Sequence, residues 1–106
     1  MFARKVSMHL KPGSIAKFGP LMEKEIIPKL RKQNGFQDEI TFFVPGKDDC
    51  FVISLWDKAE NAEAYNRGTY PAVLKILSTL IEGTPKIETY EIGHSTYHKL
   101  AAAVAA

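Results

Sequence analysis

The sequence predicts a single α+β domain, in which a four-stranded antiparallel sheet carries two helices on one face. Three observations lead to this prediction. Some segments show the two-residue alternation of strands or are rich in β-branched and aromatic residues. Others repeat apolar residues at the spacing of a helical face. Along the chain these segments follow in the order strand, helix, strand, strand, helix, strand.

The first strand and the first helix are predicted over residues 2–35. Residues 2–10 alternate, with one face formed by Phe2, Arg4, Val6, Met8 and Leu10. Ser14 then suits an N-cap, and the helical face that follows consists of Ile15, Phe18, Met22, Ile26 and Leu30. Pro20 and Pro28 predict a kink or break in this helix, because proline lacks an amide donor. Gly35 ends it.

A β-hairpin is predicted over residues 36–44 and 50–56, joined by the turn sequence PGKDD. Asp57 and Glu60 have the spacing of a capping box, so the second helix should begin there. We expect this helix to break near Gly68 and to restart at Pro71. Its apolar face, predicted to be closed by Gly83, comprises Val73, Leu74, Leu77, Leu80 and Ile81. The final strand is predicted over residues 85–93, which completes a ferredoxin-like βαββαβ order.

Length and composition limit the classes of function. At 106 residues the chain has the size of one domain, predicted over residues 1–100, with an alanine-rich tail over residues 101–106 to which no role is assigned. The net charge of +2 comes from dispersed residues, so no nucleic-acid partner is predicted. No segment approaches the ~18 apolar residues of a membrane span. Cys50 is the single cysteine, and the predicted location is the cytoplasm.

Apolar residues on both faces of the hairpin predict a second packing layer. In the third strand Phe51, Ile53 and Leu55 alternate with Val52, Ser54 and Trp56, and in the second strand Phe36, Ile40 and Phe42 alternate with Gln37, Thr41 and Phe43. Because two helices cover one face, the other face is expected to pack against another sheet. The simplest source of that sheet is an identical subunit, which predicts a homodimer.

Three segments resemble the antibiotic biosynthesis monooxygenase domain of the dimeric α+β barrel superfamily. They are LKPG, IIPKLRKQNGF and ISLWDKAENAEAYNRGTYP, and the resemblance extends over residues 2–93. It implies a homodimer with a small-molecule pocket in each subunit, between the helices and the sheet. Activities of this family differ: some members oxidise anthrone- or quinol-type molecules with molecular oxygen and no cofactor, some degrade haem, and others have no known substrate.

The sequence departs from this family at two positions of the pocket. Many members have histidine at the positions of Tyr65 and Tyr70. The tyrosines of this chain put a phenol, which titrates near ~10, in the place of a base that titrates near neutrality. Haem-degrading members use an axial histidine on the second helix and an asparagine in the first strand. Here residues 57–86 contain no histidine and residues 1–10 no asparagine, which argues against haem degradation.

The candidate site residues are mainly aromatic. Tyr65 and Tyr70 bracket the predicted helix break, and their hydroxyls contact either a ligand or water. Tyr65 is the first catalytic candidate, and Tyr70 is predicted to bind substrate. Trp56 is interpreted as core packing, as pocket wall, or as both. Phe18 and Phe43 are predicted to complete the wall of the substrate site.

Histidines supply the remaining candidates. His9 is the catalytic candidate for a general base, although a solvent-exposed histidine at a strand end is the commoner case. His94 and His98 have the i, i+4 spacing of helical metal ligands, but they follow the last strand and no carboxylate lies between them. No metal site is therefore predicted.

The leading hypothesis is a homodimeric, cofactor-free monooxygenase acting on a small aromatic or quinol-type molecule. The alternative is a non-catalytic module, stress-related or metabolite-binding, that uses the same pocket without turnover. The lack of histidine at the pocket positions favours the alternative. An isomerase or lactone-handling enzyme would need an acid-base pair, and the sequence contains no recognisable one.

Overall fold

The computed structural model describes residues 1–97. Its elements, in chain order, are β1 (Phe2–Leu10), α1 (Ile15–Leu21), a π-helical segment (Met22–Ile26), α2 (Ile27–Arg31), β2 (Phe36–Phe43), β3 (Asp49–Trp56), α3 (Ala59–Gly68), α4 (Tyr70–Leu77) and β4 (Ile81–Glu91). His98 and the tail over residues 101–106 lie outside the described residues, as does the predicted domain boundary at residue 100.

The four strands form one antiparallel sheet in the order β2-β3-β1-β4, so the predicted ferredoxin-like fold class is confirmed. The central strand β1 pairs with β3 on one side and β4 on the other. Every second residue of β1 faces the helices, and these residues are buried: Arg4, Val6, Met8 and Leu10. We call this side of the sheet the inner face, and the opposite side the open face.

The helical region after β1 contains a π turn instead of a simple kink. The amide of Ile27 donates to the carbonyl of Met22, five residues back, which is the π-helical pattern. Pro28 has no amide, so the carbonyl of Lys24 lacks its α-helical donor, and the chain before the proline adopts the wider turn. The predicted apolar face is buried at Phe18, Met22, Ile26 and Leu30, whereas Ile15 is exposed.

The helical region after β3 differs from the sequence prediction at both of its ends. The second helical region starts at Ala59, with Lys58 at its N-cap position and no side-chain cap, so the predicted capping box is absent. The carboxylate of Asp57 instead accepts a hydrogen bond of 2.8 Å from the Asn61 amide. The last helix ends at Leu77, and Ile81 already belongs to β4, where it pairs with Leu10.

Irregular pairing explains why β4 was predicted to start too late. Ser7 pairs with Lys86 and His9 with Glu82, so β4 contains a bulge of additional residues that includes Gly83 and Pro85. Gly83 has a φ of +70°, which favours glycine. Proline cannot donate to a ladder and is tolerated at such bulges on edge strands. In the sequence, both residues are typical of a helix end or a loop, although here they lie inside a strand.

The open face carries large apolar side chains. Phe42 and Phe51 stack with their ring centroids 4.7 Å apart, and the ammonium group of Lys5 lies 4.7 Å from the centroid of Phe51. Ile40 and Tyr90 are exposed on the same face. A bulge at the start of β2 moves Phe36 to the inner face, against Trp56, so the sequence prediction that grouped Phe36 with Ile40 and Phe42 is wrong.

We expect Gly35→Ala to destabilise the fold more than Gly13→Ala. Both glycines have a φ of +78°, so alanine at either position should cost about 1 kcal/mol in backbone strain. At Gly35, however, a Cβ would collide with the side chains of Asp57 and Asn61, whereas at Gly13 it would meet open space. Denaturant unfolding of both variants would measure the difference, and equal losses would show that the collision at Gly35 is relieved without cost.

Candidate functional site

The break between α3 and α4 creates an aromatic cluster over the inner face. It falls where the sequence predicted, with α3 ending at Gly68 and α4 beginning at Tyr70. The rings of Tyr65 and Tyr70 lie 6.2 Å apart between centroids, and Trp56 packs under Tyr65 at 5.2 Å. Two tyrosines, five residues apart in the chain, therefore lie side by side at the junction of the two helices.

Arg4 lies inside this cluster. Its side chain projects from the inner face of β1 and is 3% exposed, and its guanidinium donates a hydrogen bond of 2.8 Å to Oδ1 of Asn66 on α3. The guanidinium carbon lies 4.2 Å from the ring centroid of Tyr70 and 5.2 Å from that of Tyr65. Both tyrosines thus present π faces to a buried cation.

No ion pair found among residues 1–97 involves Arg4. Burial lowers the pKa of its guanidinium, and the two tyrosines partly oppose that change. An arginine nevertheless stays charged in proteins. The inner face therefore carries a positive charge, which two aromatic ring faces and one amide oxygen stabilise. None of the ion pairs described brings a carboxylate to this charge.

The tyrosine hydroxyls remain protonated at neutral pH. Burial raises the pKa of Tyr65 to about 12, and burial also raises the pKa of Tyr70, while Arg4 opposes both changes. Arg4 acts on the Tyr70 hydroxyl both as a charge and as a neighbouring hydrogen-bond donor, and its guanidinium lies over the face of the ring. The Tyr70 hydroxyl is buried and has no hydrogen-bond partner among the described residues. It is consequently free to donate to a ligand.

A cavity of about 30 Å³ lies between the helices and the sheet at this cluster. Its polar wall consists of Arg4, Ser54, Tyr65 and Tyr70, and the remaining wall is aliphatic, from Val6, Met8, Met22, Ile26, Leu30, Val52, Val73 and Leu77. Such a space accommodates one or two molecules of the size of water, since a single water needs roughly 10–15 Å³ on this measure. An aromatic ring does not fit within it.

Trp56 is fully buried and does not line the cavity, so its packing role is the one that the structure supports. Its indole N–H donates a hydrogen bond of 2.9 Å to the hydroxyl of Ser54, which faces the cavity beside Arg4. Through Ser54 and the ring of Tyr65, Trp56 holds the polar wall of the cavity in place.

Phe18 and Phe43 lie away from the cluster. They contact each other edge to face at 5.9 Å, and Phe43 pairs with Cys50 at the far end of β3 from Trp56. Neither residue lines the cavity. Their predicted part in a substrate site therefore stays a prediction, and this geometry does not bring them to the two tyrosines.

His9 lies on the open face, so the sheet separates it from the cavity. Its Nδ1 is 2.6 Å from Oδ1 of Asp49, and its Nε2 is 3.9 Å from Glu82. The hydrogen bond to Asp49 raises the pKa of the imidazole. The prediction that His9 acts as the base of the pocket finds no support in this arrangement.

Arg4, Ser54 and Asn66 are site residues that the sequence reasoning did not select. The available signal was the position of Arg4 in the alternation of β1, where a charged residue shares a face with Val6, Met8 and Leu10. Its contact with Asn66 joins residues 62 positions apart and required the tertiary structure. Within residues 1–97 no cluster of three or more histidine, cysteine or carboxylate side chains is arranged to hold a metal.

Solved structures share this fold. A protein of unknown function from Nitrosomonas europaea superposes with a TM-score of 0.73 at 20% identity, over 90% of this chain and 91% of its own. Putative antibiotic biosynthesis monooxygenases from Bordetella bronchiseptica and Deinococcus radiodurans give TM-scores of 0.72 and 0.71 at 12% and 15% identity. The first covers 86% of this chain and 95% of its own, and the second covers 90% and 95%.

These comparisons establish that the chain has the fold found in structures named as antibiotic biosynthesis monooxygenases, as the sequence resemblance predicted. At sequence identities of 20% or less, the likeness shows a shared fold and nothing about activity. No protein-family model matches the sequence, and no curated protein matches it. None of the described helices is long and apolar enough to cross a membrane.

We expect Tyr70→Phe to stabilise the ligand-free protein by about 1 kcal/mol, because a buried hydroxyl without a partner carries an uncompensated desolvation cost. Tyr97→Phe is the matched control, since Tyr97 is exposed and follows the last strand, and its effect should stay within about 0.5 kcal/mol. Thermal unfolding followed by circular dichroism measures both. A clear loss of stability in Tyr70→Phe would mean that the hydroxyl has a partner.

Proposed function

We propose that the chain binds an aromatic or quinol-type molecule as its anion beside Arg4 and oxidises it with molecular oxygen, without a cofactor. One observation carries this proposal: a buried guanidinium outside any ion pair described lies next to the unpartnered hydroxyl of Tyr70, at the wall of a cavity. The fold shared with structures named as monooxygenases supports the reaction type.

Arg4 supplies the electrostatic contribution to this reaction. An opposite charge nearby lowers the pKa of an acidic group by roughly 1–3 units, so a quinol or enol bound there ionises more readily than in water. Tyr65 and Tyr70 remain protonated and donate hydrogen bonds to the ligand's oxygen. Since a phenol with a pKa of about 12 is no base at neutral pH, the proton leaves to solvent and Tyr65 orients the anion.

The electrons for the reaction come from the substrate. When an activated methylene becomes a carbonyl, it loses four electrons and two hydrogens. Dioxygen accepts the four electrons, one of its oxygen atoms enters the new carbonyl, and the other leaves as water. The protein then has to favour the anion, orient it and exclude bulk water. The small and largely aliphatic cavity is suited to dioxygen, which is apolar and similar in size to water.

The second candidate function is binding without turnover. The absence of support for His9 as a base, together with the high pKa of Tyr65, favours this candidate. A binding module would use Arg4 and Tyr70 to hold the anion and would leave it unchanged. Ligand-dependent thermal stabilisation without consumption of oxygen is its signature.

Oxygen uptake tests the proposed function. We expect uptake above the uncatalysed rate with at least one compound from a panel of anthrones, quinols and hydroxynaphthalenes. Arg4→Met should lower kcat/KM at least tenfold, because it removes the charge that stabilises the anion, and Tyr65→Phe should lower it less. His9→Ala, on the other face of the sheet, is the matched control and should retain the rate.

Two results would contradict the oxygenase. The first is no uptake with any compound that stabilises the protein against heat, and this result would support the binding module. The second is uptake that Arg4→Met leaves unchanged, since the reaction would then occur without the proposed anion site.

We also propose that two copies of the chain associate through their open faces. The exposed side chains of Ile40 and Phe42 on β2 and of Tyr90 on β4 lie on that face, where a second sheet would bury them. The cavity lies on the other side of the sheet, so each copy would retain its own site.

Phe42→Glu should convert such a dimer to monomers, because a carboxylate would be buried opposite another apolar sheet. Ile15→Glu provides the control, since Ile15 is an exposed isoleucine on α1, away from this face. Sedimentation equilibrium distinguishes the two masses. A wild-type protein that sediments as a monomer at tens of micromolar would exclude the open face as a stable interface.

A further inference from the structure

A groove of about 260 Å³ lies beside Arg4, separate from the cavity already described. It is lined by Phe2, Arg4, Ala62, Glu63, Asn66, Ile87 and Thr89. Arg4 belongs to the walls of both spaces, with Tyr65, Tyr70 and Ser54 on the cavity side and Asn66 and Thr89 on the groove side. The arginine side chain therefore forms a partition between an inner and an outer compartment.

The groove exists because the helices leave part of β4 uncovered. Ile87 and Thr89 pair with Val6 and Arg4, so their side chains point to the inner face of the sheet. α3 packs over β1 and β3, however, and Ile87 stays 41% exposed on a face where its neighbour Val6 is buried. An apolar floor next to a buried cation is thus left open on one side.

Arg4 retains hydrogen-bonding capacity toward this opening. A guanidinium has five N–H donors. The bond to Oδ1 of Asn66 uses one of these donors, and the contact with the Tyr70 hydroxyl uses at most one more. The ring faces of Tyr65 and Tyr70 provide electrostatic stabilisation without occupying the remaining donors. An oxyanion entering from the groove beside Asn66 would find both the charge and free donors.

We infer that the groove holds the flat apolar body of an aromatic molecule with one anionic oxygen group, and that this group bonds to the guanidinium of Arg4. The inference rests on the proposed function and deepens it, because it names the ligand class and the place of its ring. Phe2, Ala62 and Ile87 contact the ring. The inner cavity is then left to the small co-substrate.

The charges at the groove favour a single negative charge on the ligand. Glu63 lies at its rim and is largely exposed, with Arg67 as a distant partner at 3.9 Å. A second acidic group on the outer end of the ligand would approach this carboxylate and be repelled. The groove thus selects monoanions with an apolar outer end.

Isothermal titration calorimetry with 2-naphthoate and 2-naphthamide tests the inference. The two probes have nearly the same shape, and one is an anion while the other is neutral. For the wild-type protein we expect the Kd of 2-naphthoate to be at least tenfold lower than that of 2-naphthamide. Arg4→Met should abolish this preference, and Arg4→Lys should keep part of it, because the charge remains while the planar donors are lost.

Ile87→Trp tests the groove without touching the cation. The larger side chain should fill the groove and raise the Kd of 2-naphthoate at least fivefold. Ile15→Trp makes the same exchange at an exposed position on α1 and should leave the Kd unchanged. Circular dichroism of each variant verifies that it is folded, so the groove remains testable even if Arg4→Met is not.

Equal affinity for the two probes, or no binding of 2-naphthoate, would overturn the anion site. Wild-type affinity in Ile87→Trp would overturn the groove as the place of the ring. The titration is independent of oxygen chemistry, because 2-naphthoate has no activated methylene or quinol to oxidise. A bound probe without oxygen uptake by any substrate would refute the oxygenase alone, and uptake without probe binding would refute this inference alone.

Discussion

A cation held on the inner face of the sheet is the constraint on which the site depends. Removing a charge from water costs several kcal/mol even after relaxation, and Arg4 has no ion pair among those described to offset this cost. Two ring faces, each worth about 0.5–2 kcal/mol, and one amide hydrogen bond stabilise it. All three partners come from α3 and α4, on the two sides of their junction. The helix break, the tyrosine pair and the polar wall of the cavity therefore surround one side chain.

The sequence predicted the aromatic part of this site but not its charge. Tyr65 and Tyr70 could be selected because glycine and proline mark a helix break locally, and a local break leaves a local signal. His9 was selected by residue type, since histidine titrates near neutrality. The residue type alone does not indicate which face of the sheet a side chain occupies. Arg4 shows the reverse: its face was readable from the alternation of β1, but its surroundings depend on contacts with residues more than 60 positions away.

The fold was predictable because the order of strands and helices and their apolar periodicities can be read from short stretches of sequence. The errors occurred where a bulge adds residues to a strand or where a missing amide donor widens a helical turn. One additional residue in β2 reverses the face of Phe36 relative to Ile40. The bulge in β4 contains a glycine and a proline, which are typical of loops, so the start of this strand was predicted to follow them. Pro28 led to the prediction of a kink, and the chain instead absorbed the lost bond in one wide turn. Predicting the two bulges would require knowledge of the partner strand, and predicting the π turn would require knowledge of which carbonyl accepts the bond.

The bulge in β4 has a consequence for how the protein behaves in a crowded solution. β4 is an edge strand, and an exposed row of unpaired amides and carbonyls is a template for strand addition by another chain. Pro85 removes one donor from this edge, and the left-handed backbone of Gly83 interrupts its straight run. Such features are those by which natural sheets resist edge-to-edge aggregation. The irregularity that concealed this strand in the sequence also protects the sheet from growing beyond four strands at that side.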